Sequence, residues 1–162
     1  MISALVPNYI GSASDDSVVA FIGVFLKQME GLHPTESDSC YYNMFPAEGA
    51  SPGLSMHLDA QSNQDAMTVM GRIIQSSVHN PQPLPDSAKA GTLLATVIAD
   101  LGKVYGNELT LLQQKPKDTA GREKVCAISI SLYKDLQNLP ERDASALLRY
   151  LLANQKSASP TP

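Results

Sequence analysis

Between Val125 and Leu152 apolar side chains recur every three or four residues, and a single proline interrupts them. Val125, Ile128, Leu132, Leu136 and Leu139 make one stripe, and Ala144, Leu147, Leu148, Leu151 and Leu152 make a second, with Pro140 between. Residues three and four apart share one face of a helix, so this period is the helical one. Proline ends a helix but suits the first turn of the next. The C-terminal part therefore reads as two amphipathic helices joined by a tight turn. Each must bury its stripe against something the rest of the chain supplies.

The rest of the chain supplies more helices. Ser14 reads as an N-cap, with Asp15 and Asp16 favourably placed in the first turn. The helix that follows should run to about Glu30 and stop at Gly31, with Pro34 beyond. Val18, Val19, Phe21, Ile22, Val24, Phe25, Leu26 and Met29 cover most of its circumference. Such a helix is either buried centrally or shared between a core and a partner. A second helix is expected from Gln64 to Val78, capped by Asn63, burying Ala66, Val69, Met70, Ile73, Ile74 and Ser77. Three prolines between Asn80 and Asp86 then break the chain. A third helix should span Ser87 to about Gln114, with Gly102 and Gly106 weakening it or admitting a close neighbour. The fourth starts after Asp118 and reaches Leu139, and the fifth opens at Pro140.

The expectation is an all-α fold, a bundle of about five helices with one long crossover loop. Residues 1–13 form an N-terminal arm, residues 14–155 a single helical domain and residues 156–162 a disordered tail. The crossover occupies residues 31–62 and holds three prolines and three glycines. It is longer than compact domains ordinarily carry, which points to a function or to order of its own. Within it, Gly53–Asp59 alternates Leu54, Met56 and Leu58 with polar residues, so a short strand is expected there. No alternation of strands with helices is visible, so a parallel sheet is not expected.

Composition narrows the functional classes. The 162 residues suit one domain. Charged residues are 17%, below the usual share of about a quarter, which fits a periplasmic or secreted protein better than a cytosolic one. The net charge is −4 and no run of Lys or Arg exists, so nucleic acid is not an expected partner. The strongest apolar run, Val18–Leu26, has nine residues, too few for a membrane span of about 20. Aspartates precede that run and Lys27 follows it, the reverse of a signal peptide.

Cys40 lies in the crossover and Cys126 early in the fourth helix. Two cysteines permit one disulfide, which would close a loop of about 85 residues and stabilise by roughly 4 kcal/mol in the chain-entropy view. It would also pin the crossover to the bundle. A bond implies an oxidising compartment, periplasmic or secreted; free thiols would imply the cytoplasm. Tyr41, Tyr42, Met44 and Phe45 sit beside Cys40. They either pack down as a lid over the core or form a preorganised partner-binding cluster.

Little in the sequence marks a reaction. His33, His57 and His79 have no metal-ligand spacing, and His57 with Asp59 lacks a third ligand, so no metal and no cofactor are implied. Cys40, His57 and Asp59 can be drawn as a triad, but no nucleophile motif or phosphate-binding loop supports it. Asp15 and Asp16 are explained by capping, Asp100 and Glu108 face solvent, and Arg142 and Arg149 share a polar face. The expected function is a non-catalytic helical protein-interaction module, extracytoplasmic, such as a subunit of a bacterial envelope or secretion assembly, binding another protein or itself. One alternative is an immunity or inhibitor protein whose acidic charge meets a basic toxin or secreted enzyme. Another is a small hydrolase using Cys40 or His57.

Overall fold

A computed structural model describes residues 6–33, 37–45 and 59–157. Among these residues the fold is all-α, with six helices of eight residues or more. They are α1 (Asp15–Leu32), α2 (Ser37–Met44), α3 (Ala60–His79), α4 (Ser87–Tyr105), α5 (Thr119–Asn138) and α6 (Glu141–Ser157). A helical turn, Val6–Tyr9, and a 3₁₀ turn, Ile10–Ser12, precede α1. A longer 3₁₀ segment, Gly106–Leu112, follows α4. No helix among the described residues is long and apolar enough to cross a membrane.

Helix α1 is the centre of the bundle, packing against α2, α3, α5 and α6. That is why apolar side chains surround it. Its two halves serve two apolar clusters, with Tyr133 packed against both. Val18 and Ile22 join Ile73, Leu136, Leu147 and Leu148 in the main cluster. Leu26, Met29 and Leu32 join Cys40, Cys126 and Ile130 in a second cluster. Around this axis α4 packs on α5 and α6, and α5 packs on α6. The expected N-terminal arm is part of the core at its end, since Ile10 and Ala13 are buried in the main cluster.

Aspartate caps start three of the helices. Asp59 accepts from the Ser62 backbone N–H at 2.6 Å, Asp86 from Ala88 at 2.8 Å and Asp118 from Gly121 at 2.7 Å. Asp59 rather than Asn63 therefore opens α3, four residues earlier than expected. Ser14 does occupy the N-cap position of α1, but its hydroxyl goes to Ser17 Oγ at 2.9 Å and makes no backbone cap.

Three further differences have physical causes. The third expected helix stops at Tyr105, because Gly106 takes a positive φ of 53° and the chain continues as 3₁₀. The crossover is not all loop: Ser37–Met44 is the helix α2. Its composition is poor in helix formers, so tertiary burial decides its structure, with Cys40 fully buried and Tyr41 4% exposed. Helix α6 runs through Ser157, two residues into the expected tail. The expected strand over Gly53–Asp59 lies outside the described residues up to residue 58, as does the tail from 158 on.

Candidate functional site

The feature that stands apart from ordinary helix packing is the docking of α2 along the first half of α5. Three successive turns of α5 face it. Arg122 donates to Asp38 in a bidentate pair, Nε to Oδ1 at 2.6 Å and Nη2 to Oδ2 at 3.1 Å. The same guanidinium donates from Nη1 to the Lys117 carbonyl at 2.8 Å and lies 5.7 Å from the centre of the Tyr42 ring. One turn on, Cys126 is bonded to Cys40, with Cα atoms 6.1 Å apart, a separation ordinary for a disulfide. One turn further, Ile130 enters the second apolar cluster.

Charge at this seam is matched. The hydrogen bonds from Arg122 hold the Asp38 carboxyl below its ordinary value, and Asp38 in turn holds the Arg122 guanidinium above its own. Beneath it the surroundings are apolar. Tyr133 packs against Phe25 at 5.1 Å between ring centres, and Phe25 stacks on Phe21 at 5.4 Å. Burial of the Tyr133 hydroxyl pushes its pKa well up.

The structure brings the candidate residues together and sorts them. Tyr41 is buried and serves as a hub, with Tyr42 edge-on at 5.5 Å and Phe45 tilted at 5.0 Å. Met44 packs onto the second cluster beside Phe25 and Tyr133. Tyr42, Met44 and Phe45 keep part of their surface exposed. Asn43, between them, is 6% exposed, and its amide nitrogen has no hydrogen-bond partner among the described residues.

The catalytic arrangement drawn from the sequence does not assemble in what is described. Cys40 is fully buried and its sulfur is committed to Cys126, so it offers no thiolate. His57 lies outside the described residues. Asp59 is the α3 cap. Among the described residues no group of three or more His, Cys, Asp or Glu side chains is arranged to hold a metal ion.

A second polar constellation was not legible. Arg149 does not share a polar face with exposed Arg142; it is 6% exposed. It donates to Asp15 Oδ1 at 3.0 Å and to the Ala13 carbonyl, while Ser145 Oγ donates to the same Asp15 oxygen at 2.7 Å. Desolvation lowers the Arg149 pKa, with Asp15 opposing it. Asp16 turns the other way and pairs with Arg72 at 2.8 Å. The two aspartates are thus inter-helix anchors as well as first-turn residues, and the only sequence signal was an arginine amid the α6 apolar stripe.

No protein-family model, curated protein or solved structure matches this chain, so its reading rests on its own residues.

Proposed function

We propose that this chain is a non-catalytic helical interaction module that works in an oxidising, extracytoplasmic compartment, as a subunit of a bacterial envelope or secretion assembly. The observation that carries the reading is the stapling of α2 to α5. A disulfide and a bidentate ion pair hold an aromatic-rich helix, and its Tyr42 and Met44, with Phe45 just beyond its end, remain partly exposed. Aromatic and methionine side chains are over-represented where proteins meet, and fixing them beforehand reduces the ordering cost of association. The net charge of −4 favours a protein surface over nucleic acid. The buried disulfide supports the compartment, since such bonds persist where thiols are not kept reduced.

The test is site-specific photo-crosslinking in the oxidised 162-residue chain. A benzophenone amino acid is placed at Tyr42, at Phe45 and, as an outward-facing control, at Asp100. A discrete adduct from positions 42 and 45, absent from position 100, is expected. Equal labelling at all three, or none at 42 and 45, overturns the reading. The mass of the adduct separates self-association from a second protein.

A further inference from the structure

We propose that α2 is a redox-locked latch: with the disulfide intact it closes the second apolar cluster, and reduction releases it while the main core stays folded. Four observations converge on this.

The two clusters differ in membership. The main one is built from the first half of α1 with α3, α4, α5 and α6, and the second from the last half of α1 with α2 and α5, while Tyr133 packs against both. No residue of α2 belongs to the first or packs against it, so opening α2 removes none of its members. Next, α2 has eight residues, far below the roughly 12 to 15 at which an isolated helix becomes even marginal in water. It is helical only while docked. Third, the Asn43 amide nitrogen is buried with no partner among the described residues, an unfavourable term that exposure to water on opening would relieve. Finally, what opposes these terms covalently is one bond, Cys40–Cys126. Beside it stands Asp38–Arg122, where Asp38 is 43% exposed and the pair correspondingly screened.

Both cysteines are 0% exposed, so an external thiol reaches the sulfur only when α2 opens. The exchange needs a dithiol reductant. Its thiolate attacks one sulfur and forms a mixed disulfide, expelling the other cysteine as a thiolate that takes up a proton. The reductant's second thiol then displaces the remaining cysteine. The reductant leaves oxidised to its own disulfide, and Cys40 and Cys126 leave as thiols. The uncovered trough is lined by Leu26, Met29, Leu32 and Ile130, an apolar surface that the oxidised protein hides. The latch does not depend on the identity of any partner.

The experiment is hydrogen–deuterium exchange on the full chain, oxidised and then reduced with dithiothreitol, with an apolar dye followed in parallel. After reduction the amides of α2 are expected to exchange about tenfold faster or more, while those of α3 and α6 change by less than about twofold. Dye fluorescence should rise with the same time course. If all helices lose protection together, the second cluster is not separable and the proposal fails. It fails equally if α2 keeps its protection once both thiols are shown to be alkylated. The Cys40→Ser/Cys126→Ser chain should match the reduced protein; a failure to fold would refute separability. In that background Asn43→Leu should restore part of the α2 protection.

Discussion

Arg149 of α6 and Asp15 of α1 face each other at 3.0 Å, with the arginine 6% exposed and the aspartate side chain 35% exposed. The pair ties the last helix to the first, and its two members are not equivalent. Removing the carboxylate leaves a charged guanidinium buried against the Ala13 carbonyl. Asp15→Ala is expected to destabilise by about 2–3 kcal/mol. Arg149→Met removes the buried charge together with an Nε that has no partner among the described residues, and should cost less, about 1 kcal/mol. Urea unfolding of the two variants checks the order.

Acid should loosen the α2 seam below about pH 4. The Asp38 carboxyl lies below its ordinary value of 3.8 because Arg122 hydrogen-bonds it. Its folded form therefore binds a proton less readily than its unfolded form. The stability it contributes is fully present above about pH 4 and lost as pH falls through the lowered value. Asp59 acts in the same direction through the Ser62 backbone N–H. Melting temperature should fall steeply below about pH 4. The Asp38→Asn chain should start lower and fall less. Parallel curves for the two chains would show that Asp38 does not titrate with folding.

Two glycine substitutions in helices should have opposite signs. Gly71, exposed in α3, has nothing within 4 Å of an added Cβ, so Gly71→Ala should stabilise by about 0.5–1 kcal/mol. Gly121, in the first turn of α5, donates its N–H to the Asp118 cap. A Cβ there would stand 2.6 Å from Pro116 Cβ and 2.8 Å from Asp118 Oδ1. Gly121→Ala should displace the cap and destabilise by about 1–2 kcal/mol. Thermal melts of both variants suffice.

The division of α1 between two cores predicts additivity. Ile22 and Met29 are both 0% exposed, and lie in different clusters. Each truncation to alanine should destabilise by about 2–5 kcal/mol. Seven residues place them about 10 Å apart along the helix. The double variant should equal the sum within about 0.5 kcal/mol. A larger discrepancy in a double-mutant cycle would show one continuous core.

The sequence was readable wherever one periodic stripe met one face. The α5 and α6 stripes and the wrap-around apolar pattern of α1 all correspond to burial in the folded chain. With two cysteines the sequence allowed one bond or two free thiols, and the structure holds the bond between Cys40 and Cys126. Helix α2 was hidden because Ser37, Asp38, Ser39 and Asn43 carry little helical preference, and only packing on α1 and α5 makes that segment helical. Arg149 was hidden because a sequence shows which residues share a face but not which distant carboxylate meets it. The start of α3 was misplaced for a smaller reason. Asn63 and Asp59 are both good caps, and the side-chain bond from Asp59 to the Ser62 N–H decides between them.

The position of α1 at the axis has a consequence for synthesis. A ribosome completes α1 well before α5 and α6, at roughly 5–20 residues per second. Until Leu147 and Leu148 emerge, Val18 and Ile22 have no α6 to cover them. The helix made early is the one closed last, so its apolar surface stays open to chaperones through most of elongation. A nascent chain stalled before α6 should therefore bind a holdase that the completed chain does not.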